Sequence, residues 1–178
     1  YTLKISKYMY DRLRELGVPV TLTRDTDVTL TPTERVDKIL SAYGDDPNVI
    51  VISNHLNAGG GTGAEVIYAL RNSSVLPESI LKNLSLTGQT TRRTYQRSLP
   101  SNPDKDYYFI HRETGNIEPL LIEYGFIDST GDDVSQLKND LLSYAEAVVR
   151  AVANYAGVNY TNPAGGNYYT AKKGDSLW

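Results

Sequence analysis

Apolar residues open the chain at helical spacing. Ile5, Met9, Leu13 and Leu16 share one face, Lys4, Lys7, Asp11 and Arg12 fall between them, and Gly17 supplies a stop. Val18–Thr23 reads as a short strand. Thr31-Pro32-Thr33-Glu34 is a strong helix start: Thr31 caps, Pro32 suits the first helical position and Glu34 closes a capping box. Val36, Ile39, Leu40 and Tyr43 form the apolar stripe that follows. After a turn at residues 44–47, Asn48–Ser53 is a continuous apolar run, the signature of a buried central strand, most often parallel. A glycine-rich loop spans Asn57–Gly63, and Ala64–Leu70 is a further strand.

Downstream, Ile80, Leu81 and Leu84 mark a helix behind Pro77-Glu78. Thr90–Lys105 is polar and basic, and reads as irregular. Tyr107–Ile110 and Pro119–Tyr124 read as strands, the second buried. Leu137, Leu141, Tyr144, Ala145, Val148, Val149 and Val152 place one helix over about Val134–Ala156, ended by Gly157. Strands alternating with helices predict an α/β fold in three layers, with a mostly parallel central sheet flanked by helices. Sites in such sheets lie beyond the carboxyl ends of the strands. Residues 158–167 have linker composition, and Tyr168–Trp178 looks like the start of another unit. A helix that opens at Tyr1 without a cap predicts an internal start, with an element upstream, and the end at Trp178 also reads as interrupted.

Composition narrows the function. The 178 residues include 40% hydrophobic and 22% charged, a globular balance. Lys and Arg number 18 against 21 Asp and Glu, which argues against a nucleic-acid binder. No apolar run approaches membrane-helix length. With no cysteine and only His55 and His111, the chain cannot build thiol chemistry, a Cys-type zinc site or a three-histidine centre.

Two residues stand out. His55 ends an apolar strand and opens the glycine-rich loop, placing an imidazole at the carboxyl edge of the sheet. It is either a metal or catalytic group or a strand cap. Glu123 sits within Leu120-Leu121-Ile122-Glu123-Tyr124, where a carboxylate is costly unless paired or coordinated. It is either a general acid or base or half of a structural ion pair. His111 could be a second ligand, a substrate contact or a strand-edge residue. Arg92, Arg93 and Arg97 could hold an acidic substrate or form a solvated loop. Gly59-Gly60-Gly61 is no phosphate loop, since no Gly-Lys-Ser/Thr follows and a strand comes next.

Together these blocks carry a resemblance. Ser53-Asn54-His55-Leu56-Asn57-Ala58 followed by Gly63-Ala64-Glu65-Val66-Ile67-Tyr68 resembles the Ser-Ile-His-Ala-Asn-Ala…Gly-Val-Glu-Val-Tyr signature of zinc-dependent N-acetylmuramoyl-L-alanine amidases of the Amidase_3 type. Leu22-Thr23-Arg24 with Asp27, Leu30 and Arg35, then Phe109–Thr114 and Pro119–Phe126, resemble further blocks of that family, over about residues 1–157. Tyr169–Trp178 resembles the first ten residues of a LysM module, a binder of N-acetylglucosamine-containing glycans.

The resemblance implies a peptidoglycan hydrolase that cuts between N-acetylmuramic acid and L-alanine with zinc-activated water. His55 matches a metal ligand and Glu123 the catalytic base; Asn57 and Arg112 match positions of undefined role. The family's other His ligand and its Glu ligand belong to blocks that precede Tyr1. The expected organisation is therefore an amidase domain at 1–157 lacking its first strand, a linker at 158–167 and the beginning of a LysM module at 168–178. The expected protein is an extracellular, cell-wall-associated monomer with Zn²⁺ as cofactor and peptidoglycan as partner. It binds no nucleic acid and spans no membrane. It could be a host autolysin, a spore-lytic enzyme or a phage endolysin. The competing readings are a non-catalytic glycan-binding protein with a degenerate amidase domain, and a zinc peptidase cutting within the stem peptide.

Overall fold

The computed structural model describes residues 1–130 and 133–164. Helix α1 (Thr2–Glu15) stops where the pattern places Gly17, whose φ of 80° suits a residue without Cβ, and Val18 N–H donates to the Leu13 carbonyl. Helix α2 (Pro32–Tyr43) carries the expected capping box: Glu34 N–H donates to Thr31 Oγ1, and the Thr31 amide donates to the Glu34 carboxylate. Strands β1 (Ile50–Asn57) and β2 (Ala64–Tyr68) precede α3 (Val75–Ser85). Then come β3 (Thr91–Tyr95), the short pair β4 (Ser98–Leu99) and β5 (Asn102–Asp106), and the single turn α4 (Phe109–Arg112). Strand β6 (Glu118–Phe126), α5 (Asp133–Asn139) and α6 (Leu141–Tyr155) complete the order.

Among the described residues the main sheet runs β1-β6-β2-β3. The β1–β6 and β2–β3 pairings are parallel and β2–β6 is antiparallel. Alternation along β6 assigns its two faces. Leu120, Ile122 and Tyr124 join the large core beneath α1, α3 and α6. The opposite face is thinner, with Ile39 of α2, Ile110 of α4 and Ile117 packed on Val49 and Val51. The sheet thus lies between helices, as the α/β expectation required.

Five local expectations fail, each for a physical reason. Val18–Thr23 forms no strand; it lies across a groove from the free edge of β1, with no ladder beside it. The run at residues 48–53 is an edge strand, only half-buried, because β1 has a neighbour on one side alone. The basic stretch at 90–105 holds three strands, since β3 pairs with β2 and β4 with β5. Tyr107–Ile110 turns into α4, where Arg112 Nη1 donates to the Asp106 and Tyr107 carbonyls and closes the chain on itself. The C-terminal helix is also two: Asn139-Asp140 breaks it, residues whose side chains compete with helical backbone bonds.

A buried ion pair ties the first helix to the last. Arg12 donates through Nε and Nη2 to Glu146 at 3.0 Å each, and Tyr8 Oη donates to the same carboxylate at 2.9 Å. Removing one partner leaves the other charge buried. Arg12→Ala is expected to lower the unfolding free energy by about 3–5 kcal/mol, read by urea denaturation, and Arg12→Met with Glu146→Leu to lose much less.

Candidate active site

Register puts the site together. On the parallel ladder His55 lies opposite Glu123, and on the antiparallel ladder Glu65 lies opposite the same Glu123. Glu65 in turn faces Arg93 on β3. Directly opposed residues project from the same face, so one row of polar side chains crosses all four strands. It lies on the thinner face, near the carboxyl ends of β1 and β6.

Glu123 is the group most out of place. Its Oε2 is buried without a hydrogen-bond partner, and no ion pair reaches it among the described residues, so the ion-pair reading finds no support. Burial, with the Glu65 carboxylate adding to it, pushes the Glu123 carboxyl up to about 7. Its proton is therefore exchangeable near neutrality.

His55 is exposed at the end of β1, its Nε2 2.9 Å from Ser53 Oγ. Burial of the ring edge and the Arg35 guanidinium lower its pKa, which keeps the imidazole neutral and leaves a nitrogen lone pair available. Arg35 donates to Thr23 Oγ1, and its own pKa is lowered by burial and by Arg24. His55, Glu123, Arg24 and Arg35 line one groove of about 1640 Å³, bounded by Val18–Thr23, Met9 and Leu13 of α1, and the free edge of β1.

The same carboxylate-in-an-apolar-strand signal that marks Glu123 is present in Ala64-Glu65-Val66-Ile67, and Glu65 is the residue sequence reasoning left without a role. Its side chain is 4% exposed, yet well supplied with donors. Asn57 Nδ2 donates to Oε2 at 3.2 Å and Arg93 Nε to Oε1 at 3.1 Å, with Arg92 Nε 3.2 Å from the same oxygen. Asn57, matched but without a role from sequence, thus joins the site through Glu65. The loop after it is tied down by Asp128, which accepts from Gly59 N–H at 2.8 Å. A Cβ on Gly61 would strike Arg92 Nη1 at 2.4 Å and Phe126 at 2.5 Å, so only glycine fits that close approach.

The structure leaves two other candidates out. His111 is fully buried in α4, outside the groove, with neither ring nitrogen hydrogen-bonded, and burial with Arg71 nearby holds its pKa down to about 4. Arg112 braces the β5–α4 turn.

A neutral imidazole and a carboxyl of raised pKa thus stand on adjacent parallel strands, at the edge where α/β sheets bind ligands. The particular family follows from comparison. The sequence model of the N-acetylmuramoyl-L-alanine amidase family matches residues 1–154, and the chain belongs to that family. The N-acetylmuramoyl-L-alanine amidase CwlM of Bacillus licheniformis is 29% identical over 145 residues, 78% of this chain. The chain spans about half of that relative's length, 49%. Cwp6 from Clostridium difficile superposes with a TM-score of 0.76 at 25% identity, covering 85% of this chain and 24% of that one. The catalytic domain of CwlV, an N-acetylmuramoyl-L-alanine amidase from Bacillus (Paenibacillus) polymyxa var. colistinus, gives 0.71 at 20% identity, covering 88% and 83%, a likeness of fold.

Because burial is the larger cause of the Glu123 shift, Glu65→Gln is expected to lower that pKa while leaving it above the ordinary carboxyl range, read by ¹³C NMR of the glutamate carboxyl in metal-free protein. The sign for stability follows. Between the unfolded value of 4.5 and about 7, the folded state holds a proton the unfolded state has lost, so stability falls as pH rises. Above that range the penalty is constant. Glu123→Gln is therefore expected to raise the melting temperature at pH 8, and little at pH 4.

Proposed function

We propose that this chain forms the larger part of a catalytic domain that hydrolyses the amide between N-acetylmuramic acid and L-alanine in peptidoglycan. The observation that carries the reading is Glu123: a half-buried carboxyl with one buried, unpartnered oxygen, set opposite His55, within a family match over residues 1–154. Glu123 takes a proton from the attacking water as oxygen adds to the lactyl carbonyl carbon. It then returns that proton to the amide nitrogen as the C–N bond breaks, leaving a carboxylic acid and a free amine. A carboxyl titrating near 7 suits both transfers.

The family resemblance implies Zn²⁺, and His55 is the one matched donor. Among the described residues no group of three His, Cys, Asp or Glu is placed to hold a metal. A catalytic zinc takes about three protein donors and an open position. The residues of this chain therefore do not fit the ion by themselves, and we assign the remaining donors to the family blocks expected upstream of Tyr1. The groove between the free edge of β1 and Val18–Thr23 supports that assignment, because it offers a strand-like segment an unpaired ladder within reach of His55. The apolar residues that line it, Met9, Leu13 and Val20 among them, suit a buried strand.

The proposal extends to the rest of the chain. Residues 158–167 act as a linker and 168–178 begin a glycan-binding LysM module, of which residues 165–178 lie outside the described residues. The whole works as an extracellular, cell-wall-associated monomer. No described helix is long and apolar enough to cross a membrane.

The test compares this chain with one extended upstream by roughly thirty residues, room for a strand and its turns. Bound zinc is measured by metal analysis, and muropeptide digests are scored for new lactyl groups against new peptide termini. Stoichiometric zinc and lactyl release in the longer form are expected, with Glu123→Gln lowering kcat at least 100-fold while the fold persists. No zinc and no cleavage in either form would leave a glycan-binding scaffold. New termini within the peptide would make it a peptidase.

A further inference from the structure

The β2–β3 ladder carries an irregularity beside the site. Ala64 pairs with Thr91, but the next residue, Glu65, pairs with Arg93, so Arg92 is an extra residue on β3. A β-bulge sets two residues of one strand against one of its partner and re-aims their side chains. Successive residues of a regular strand would point to opposite faces. Here both guanidiniums reach the same carboxylate oxygen, at 3.2 and 3.1 Å.

Both cations are held from behind. Their Nε atoms meet the buried Glu65; the Arg92 guanidinium stacks 5.1 Å from the Phe126 ring centroid, and that of Arg93 lies 4.2 Å over Tyr95. Their side chains remain 38% and 58% exposed. Among the described residues no acceptor meets their terminal nitrogens. One carboxylate against two guanidiniums leaves an excess positive charge and free donors, fixed in direction. Such a preorganised pair loses little entropy on binding a carboxylate.

We propose that Arg92 and Arg93 form a subsite for a carboxylate on the peptide half of the substrate. This rests on the amidase reading above. In an N-acetylmuramoyl peptide the sugar half has no free acid, because its lactyl carboxyl is tied up in the scissile amide. The peptide half carries the carboxylates. Glu65 separates the pair from Glu123, and two strand spacings make about 10 Å. An extended peptide advances about 3.4 Å per residue, so with the reach of an arginine side chain an acidic residue directly after the alanine meets the ledge. The subsite thereby sets which way the substrate lies: peptide over β2 and β3, sugar toward β1. It also sets a preference for a free acid over its amide.

The experiment uses N-acetylmuramoyl-L-alanyl-D-glutamate and its diamide, in which both glutamate carboxyls are carboxamides, with the zinc-loaded extended chain. The wild type is expected to favour the acid by about tenfold in kcat/KM, chiefly through KM, and to lose that margin in high salt. Arg92→Gln with Arg93→Gln should lower kcat/KM on the acid about tenfold more than on the amide, and Arg93→Lys should keep part of the preference. The wild-type comparison needs no variant to fold.

Binding is followed in parallel by NMR of the arginine Nε–H groups with the dipeptide L-alanyl-D-glutamate and its diamide. Shifts at Arg92 and Arg93 with the acid alone, in a protein that hydrolyses neither substrate, would support the ledge and remove the amidase reading. Hydrolysis of both substrates at equal kcat/KM, with no selective shift, would remove the ledge and keep the amidase.

Discussion

Everything at the site depends on the register of β6 between β1 and β2. Side chains alternate along a strand, so a slip of one residue would carry Glu123 into the core beneath α1, α3 and α6 and bring Ile122 or Tyr124 onto the site face. The apolar positions of β6 forbid that slip, since Leu120, Ile122 and Tyr124 are all fully buried on the core face. Hydrophobic packing on one side of the sheet therefore fixes a polar row on the other. Each member of that row is placed by backbone ladders rather than by a flexible loop, which is what positioning a proton donor demands.

The two carboxylates in the row meet different environments. Glu65 is surrounded by Asn57, Arg92 and Arg93, and its role is to anchor them. Glu123 has an oxygen with no partner, and burial raises its pKa. Glu65 thus has three donors around it, while the Glu123 oxygen has none. The bulges flanking the row serve the same end. One lies between His55 and Asn57 on the β1–β6 ladder, the other at Arg92. Each turns a side chain toward the row that regular pleating would have turned away.

Much of this could be read from the chain, and the exceptions share a cause. The helix at Pro32 is legible because its capping box is local, and the stop at Gly17 because one residue carries it. Glu123 is legible because a carboxylate among Leu, Ile and Tyr contradicts its surroundings. Strand β3 is not, since Thr-Arg-Arg-Thr-Tyr looks solvated until Glu65 stands opposite it. The pairing of Glu65 with Arg92 and Arg93 spans 27 or 28 positions and a bulge, neither of which leaves a periodic trace. Val18–Thr23 fails in the reverse sense: its composition suits a strand, but a strand exists only with a neighbour to bond. His111 also defied its context, because burial in a one-turn helix is decided by the packing of distant residues such as Arg71.

The edge of β1 brings these points to one place. Its sequence, Ile-Val-Ile-Ser-Asn-His-Leu-Asn, holds none of the devices that protect a sheet edge, neither lysine nor proline, and the register irregularity it contains faces β6 rather than the open side. The outward-facing backbone groups of β1, beside an apolar groove, would template association with other chains. The residues opposite, Val18–Thr23, are strand-like in composition but stand across the groove from it, unpaired with any strand. A strand seated between them would complete two ladders at once, cover the half-buried side chains of β1, and bring its own end beside His55 and the Arg24 and Arg35 guanidiniums. Burial and Arg24, itself paired with Asp27, lower the Arg35 pKa, and among the described residues Arg35 donates to Thr23 alone. An acidic group arriving on that strand would give Arg35 the anionic partner it lacks among the described residues. The open edge of β1 and the unpaired Arg35 charge thus favour the same element at the same position, beside His55.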